Sequence, residues 1–129
     1  MSKFCTAVNC MDGRVQIPVI RYLQERFGAE YVDTITEPGP NRILAEADDS
    51  EMVQSILRRV HISVEKHASL GIAVVGHYDC AGNPAPEEVQ KMHLQKAVER
   101  LRKHFAQPVI GLWVDASWRV HEIEVGNKR

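Results

Sequence analysis

The sequence has no apolar run approaching the ~18–20 residues that a bilayer-spanning helix needs, so nothing in it reads as a membrane span. It has no basic excess either. Sixteen Lys and Arg stand against 17 Asp and Glu, a formal net charge of −1, whereas a nucleic-acid-binding surface would show a basic surplus or cluster. The short basic runs, Arg58-Arg59 and Arg100 to Lys103, fall inside helical patterns and read as solvated faces. The opening MSKFCTAVNC is too short and too polar for a secretory signal, which makes a cytoplasmic location the expectation. Internal repeats, low-complexity tracts and linkers are missing. A chain of 129 residues is long enough for one domain with a real core and short for two. Cysteine is scarce: Cys5, Cys10 and Cys80, with no Cys-x-x-Cys spacing. Three thiols in a reducing compartment argue against a disulfide framework and for buried, metal-binding or reactive roles. The missing Cys-x-x-Cys counts against a thiol redox pair.

What is present alternates between strand and helix. Residues 4–9 read as a first strand, and VQIPVIRYLQERFG as a first helix with Val15, Val19, Ile20, Leu23 and Phe27 on one face. Pro18 falls in its opening turn and Gly28 supplies the stop. EYVDTIT reads as a second strand, followed by EPGPN, too rich in Pro and Gly for regular structure. The clearest helix lies in DDSEMVQSILRRVHISVEKHASLG, capped by Asp49 or Ser50, with Val53, Ile56, Leu57, Val60 and Val64 as its buried stripe. GIAVVGH is apolar throughout, as a central parallel strand should be. A helix from about Pro86 to His104 follows, then PVIGLWVDA and WRVHEIEV as a hairpin turning around Ala116-Ser117. The alternation predicts a single α/β domain over residues 1–129, with a mostly parallel central sheet flanked by helices. Its expected strand order is 2-1-3-4, with the last strand antiparallel.

Ligands of open α/β sheets bind beyond the carboxyl ends of strands, best where the strand order reverses. Cys10 and Asp12 follow the first strand; His77 and Cys80 follow the third. With those strands as neighbours, all four converge in one crevice. Two thiolates and an imidazole suit Zn2+, and three protein ligands leave a fourth position, the pattern of a catalytic rather than a closed structural site. Cys5 lies about five residues back along the strand, too far at ~3.3 Å per residue to join, and belongs in the core. Asp12 could itself close the site as fourth ligand. Alternatively, Arg14 could hold that carboxylate in a bidentate pair and leave the position to water. Metal-bound water would be acidified towards ~7, less so with two thiolates than with three imidazoles, so activity should rise on the alkaline side. Asp79 fits a turn leading into a helix, where acids favour the helix N-terminus. The remaining histidines read as solvated or half-buried structural residues, and Trp113 and Trp118 as packing for the last strands.

CMDGR at Cys10 to Arg14 and GHYDCAG at Gly76 to Gly82 resemble the paired motifs of the β-class carbonic anhydrases, Cys-x-Asp-Ser-Arg and His-x-x-Cys-Gly. VQIPVI resembles the helix start that follows the first motif, EPGPN stands in place of the family's Arg-Asn-Ala-Gly-Asn loop, and VIGLWVDASWRVHEI resembles its final strand pair. The likeness runs from about Phe4 to Ile123. It implies Cys10, His77 and Cys80 as zinc ligands, Asp12 and Arg14 as the catalytic dyad, and hydration of carbon dioxide to bicarbonate. The differences are Gly13 for the serine, Ala81 for the glycine, and Glu37 for the loop arginine, with prolines at 38 and 40 and only Asn41 matching. Nine residues precede Cys10, where the family carries a longer helical arm, so the expected subunit contact is weaker or different. The resemblance implies a homodimer or higher homo-oligomer acting on a small-molecule substrate, without nucleic-acid or membrane partners. Two alternatives remain: a zinc-binding relative without turnover, and a hydrolase of carbonyl sulfide or carbon disulfide.

Overall fold

A computed structural model describes residues 2–46 and 48–126. In chain order it contains β1 (Phe4–Cys10), a single 3-10 turn (Gly13–Val15), α1 (Gln16–Phe27), β2 (Tyr31–Glu37), α2 (Pro40–Glu46), α3 (Glu51–His67), β3 (Ile72–His77), α4 (Glu87–Arg102), β4 (Val109–Val114) and β5 (Val120–Ile123). The sheet order is β2-β1-β3-β4-β5. β5 runs antiparallel to β4 and every other pairing is parallel. The expected order and the reversed last strand are both present.

Two apolar layers sandwich the sheet, and the two-residue period of the strands sorts side chains between them. Ile72 and Val74 face a layer with Leu44 of α2, Ile56 and Val60 of α3, and Leu94 and Leu101 of α4. Ala73 and Val75 face the other way, against Val19 and Leu23 of α1. β3 and β4 are buried along their whole length, which is why their sequences are continuously apolar. Each Leu or Ile so buried contributes about 1.5–3 kcal/mol, the term that offsets the ordering of the chain. Of the two expected caps for α3, Ser50 takes the role, its side chain accepting from the Val53 N–H. No helix of the described residues is long and apolar enough to cross a membrane.

Two expectations need correction. EPGPN is not an irregular loop: Glu37 closes β2, Pro38 and Gly39 make the link, and Pro40 opens α2. A proline at a helix's first position sacrifices no hydrogen bond, because that N–H has no partner within the helix. Gly39, at φ 65°, supplies the carbonyl that accepts from the N–H groups of Arg42 and Ile43. Asp79 does not precede a helix either. α4 begins eight residues later at Glu87, and Asp79 occupies a left-handed turn at φ 59°.

Candidate metal centre

The ladder between β1 and β3 pairs Thr6 with Ile72, Ala7 with Ala73 and Val8 with Val74, and goes no further. Both strands continue, to Cys10 and His77, so their carboxyl ends part and open a crevice where the strand order reverses. Each end is tied to its outer neighbour: the Met11 N–H donates to the Glu37 carbonyl, and the Tyr78 N–H to that of Val114.

Cys10 is held at both its N–H and its carbonyl, with Asn9 itself anchored to the chain beyond. Its N–H donates to Asn9 Oδ1 at 2.8 Å, its carbonyl accepts from Gln16 Nε2 at 2.7 Å, and Asn9 Nδ2 reaches the Val15 carbonyl at 3.3 Å. Cys80 arrives by the left-handed turn at Asp79. The chain beyond it packs backbone to backbone on the link before α2. A Cβ on Gly82 would lie 2.4 Å from the Pro38 carbonyl carbon, and one on Gly39 would lie 2.7 Å from that of Gly82. This contact is what the glycine of EPGPN serves.

The structure brings Cys10, His77 and Cys80 together, all buried, with one ligand atom of each within 4.8 Å of the others. The sulfurs are 3.8 Å apart, far beyond a disulfide bond, and both cysteines are free. His77 Nδ1 lies 2.8 Å from the Tyr78 carbonyl, which can only accept, so that nitrogen carries the proton. That leaves His77 Nε2 as the ring atom available to a ligand, and among the described residues it is the buried side-chain polar atom without a hydrogen-bond partner. Cys5 is buried in the core, as expected.

These donors fit a tetrahedral, sulfur-tolerant cation. At a Zn–S length of ~2.3 Å, two thiolates on a tetrahedron stand ~3.8 Å apart, the separation found here. An imidazole with its remote nitrogen bonded to a carbonyl and its near nitrogen free is the form that ligates metals. The electrostatics agree. The hydrogen bond from Cys80 pulls Cys10 well below the usual thiol range against the opposing effect of burial, with His77 and the Gly39 and Asp12 N–H groups assisting. Cys80 is pushed up by the same bond and by burial. Burial acts to lower His77, but its contacts with Cys10, the Tyr78 carbonyl and Asp12 raise it on balance.

Asp12 and Arg14 stand at the mouth as a closed pair. Asp12 Oδ1 accepts from the Arg14 N–H at 2.9 Å and from Nε at 3.1 Å, and Oδ2 accepts from Nη2 at 2.7 Å. The guanidinium holds the Asp12 carboxyl down at about 2. Two residues that the sequence left aside complete the surround of Arg14. Asp79 accepts from it at 3.4 Å through Oδ2 and at 3.2 Å through its carbonyl, and the Trp118 ring lies 4.5 Å beneath it. Glu37, at the end of β2, pairs with Arg59 of α3. A cavity of about 900 Å³, lined by Arg26, Arg102, Phe105 and Pro108 among others, lies beside Val109, the end of β4 opposite the centre.

No motif in the sequence singled out the trio Gln90, Asn41 and Asn83, whose buried amides gather behind His77. A signal for Gln90 was available. It shares the buried stripe of α4 with Leu94, Ala97, Val98 and Leu101, and a polar residue on an apolar stripe needs a partner.

A family model described as "Putative carbonic anhydrase" matches residues 1–124. The fold is similar to the β-carbonic anhydrase CafA of Aspergillus fumigatus, at a TM-score of 0.64 and 11% identity over 98% of this chain and 77% of that one. It is similar to a tetrameric β-carbonic anhydrase from Sordaria macrospora, at a TM-score of 0.61 and 13% identity over 98% and 83%. A carbonic anhydrase from Glaciozyma antarctica matches at 0.55 and 14% over 93% and 81%. No curated protein is similar enough in sequence to match.

Proposed function

The chain belongs to the carbonic anhydrase family whose model spans nearly all of it, and on that premise we propose that it hydrates carbon dioxide to bicarbonate at a zinc site formed by Cys10, His77 and Cys80. The observation that carries this reading is His77 Nε2, buried without a hydrogen-bond partner beside two sulfurs at tetrahedral spacing. When bound, zinc supplies Lewis acidity that lowers the pKa of coordinated water towards about 7.

The rest of the chemistry falls to the chain's own residues. The Tyr78 carbonyl fixes the His77 tautomer. Arg14 occupies both oxygens of Asp12 and so draws the carboxylate away from the ligand cluster. Asp12, kept ionised by that pairing, has lone pairs to spare and can accept the hydrogen of an attacking water, fixing its orientation. Asp79 and Trp118 limit the swing of Arg14. In this reading Asp12 and Arg14 are the catalytic dyad, and Arg14 keeps the Asp12 carboxylate from the cation that Cys10, His77 and Cys80 would hold.

A homo-oligomer is part of the proposal, supported by the tetrameric Sordaria neighbour of the same fold. So is a cytoplasmic setting, where thiols stay reduced. A second reading, a zinc protein without turnover or one acting on carbonyl sulfide or carbon disulfide, draws on Gly13 and on Glu37. The side chain beside Cys10 on β2 is an acid committed to Arg59, not a cation facing substrate. The deciding experiment is zinc content with stopped-flow carbon dioxide hydration from about pH 6.5 to about pH 9, a range bracketing the titration of zinc-bound water. Stoichiometric zinc with a rate rising into alkali supports hydration. Stoichiometric zinc without turnover moves the assignment to the second reading, and no zinc overturns both.

A further inference from the structure

Where β1 and β3 part, β3 loses a strand partner on that side. The Tyr78 N–H faces β4, since it donates to Val114. Backbone polar groups alternate along a strand, so those of His77 face the vacated β1 side. Buried N–H and C=O groups left unpaired there would each cost about 1–3 kcal/mol.

The Gln90 side chain takes the missing strand's place. Its Oε1 accepts from the His77 N–H at 3.3 Å, and its Nε2 donates to the His77 carbonyl at 2.8 Å. One carboxamide thus stands in for the two separate peptide groups of a parallel neighbour, pairing with both polar atoms of the same residue. Nε2 also reaches the carbonyls of Asn83 at 3.0 Å and Ala85 at 3.2 Å, within the segment that follows Cys80. The orientation of the amide is dictated by its neighbours: the nitrogen has only carbonyls around it, and the oxygen meets N–H groups. A second layer holds it there. Asn41 Nδ2 donates to Gln90 Oε1 at 3.3 Å, Asn83 Nδ2 donates to Asn41 Oδ1 at 3.3 Å, and Asn83 Nδ2 lies 3.0 Å from His93 Nδ1. Gln90, Asn41 and Asn83 are all 1% exposed or less. Gly76 leaves room for the arrangement, because a Cβ there would sit 2.6 Å from Asn41 Nδ2 and 3.0 Å from Gln90 Oε1.

We propose that Gln90, braced by Asn41 and Asn83, is the positioning residue of the metal centre: its carboxamide fixes the His77 backbone and the segment after Cys80 as one unit, so that imidazole and thiolate are set before the cation arrives. The proposal rests on the zinc reading given above. Gln90 touches neither metal nor substrate; it acts through His77 and the Cys80 loop.

Gln90→Met keeps the side chain's length and removes both polar ends. Its zinc affinity, read by competition with a chromophoric chelator, is expected to fall roughly 10- to 100-fold, the usual effect of losing an outer-shell partner. The visible ligand-field bands of the cobalt-loaded variant should shift, and the rise in Tm on adding zinc should shrink. A role confined to stability would lower the metal-free and zinc-loaded Tm equally and leave affinity and bands unchanged; that result overturns the proposal. Should Gln90→Met fail to fold, Asn41→Ala carries the test with a smaller loss of affinity expected, and unchanged affinity there overturns it likewise. Zinc absent from the unaltered protein would overturn the metal reading itself, an outcome distinct from zinc bound equally by both proteins.

Discussion

The sulfurs of Cys10 and Cys80 lie 3.8 Å apart although 70 positions separate them in the chain. One ends the first strand and the other follows the turn after the third, and the parallel pairing of β1 with β3 brings them together. Their spacing is that of two thiolates on one tetrahedral cation.

Cys80→Ser should reduce zinc from one ion per chain to a small fraction, because a hydroxyl is a poor substitute for a thiolate on a soft site. Elemental analysis after gel filtration measures this directly. Cys5→Ala is the control: Cys5 lies in the core and should keep full occupancy. Full occupancy in Cys80→Ser would mean the ligands are misassigned.

Arg14→Ala removes every side-chain donor that now engages Asp12. Zinc should remain while hydration falls roughly 100-fold, the scale of a lost proton-handling group. The freed carboxylate can then turn to the metal. Unchanged turnover with zinc in place would remove the dyad from the mechanism.

His93 predicts a stability change with pH. Asn83 Nδ2 can only donate, so His93 Nδ1 accepts and the ring is neutral. Burial lowers its pKa below the usual 6.5, with Glu46 of α2 opposing and Arg42 of α2 and Lys96 of α4 reinforcing. The unfolded chain therefore takes up this proton first as pH falls. The stabilisation is full above pH 6.5 and is lost progressively below it. Denaturant midpoints from about pH 8 to about pH 5 should decline for the unaltered protein and flatten in His93→Gln. Parallel profiles would exclude His93 as the source.

Gly76→Ala places a methyl group against Asn41 and Gln90 inside a packed site. The expected cost is about 1–3 kcal/mol in chemical denaturation, as for other overpacked interiors. An unaffected midpoint would mean that the amides yield freely.

β3 and β4 and three of the four helices were legible because each carries a long period or an unbroken apolar run. β3 and β4, buried on both faces, leave no room for polar residues, and α3 shows its stripe over 17 residues. α2 was not legible. It has seven residues, opens with a proline, and is stabilised by burial of Leu44 rather than by any long pattern of its own. Asp79 was misplaced because an acid before a helix and an acid in a left-handed turn look alike in sequence; the difference depends on where the chain turns.

The sequence by itself determined the donor chemistry. Cys10, Asp12, Arg14, His77 and Cys80 stand within a few residues of two strand ends, and the strand–helix alternation sufficed to expect them beyond the carboxyl end of a parallel sheet. Only the tertiary structure decided how that site is held. Asp12 turns to Arg14, Asp79 and Trp118 close around the guanidinium, Gly39 meets Gly82, and Gln90 stands in for a strand. The reason is physical. Which amide satisfies which buried peptide group is set by distances of about 3 Å between residues far apart in the chain, and no local pattern encodes them.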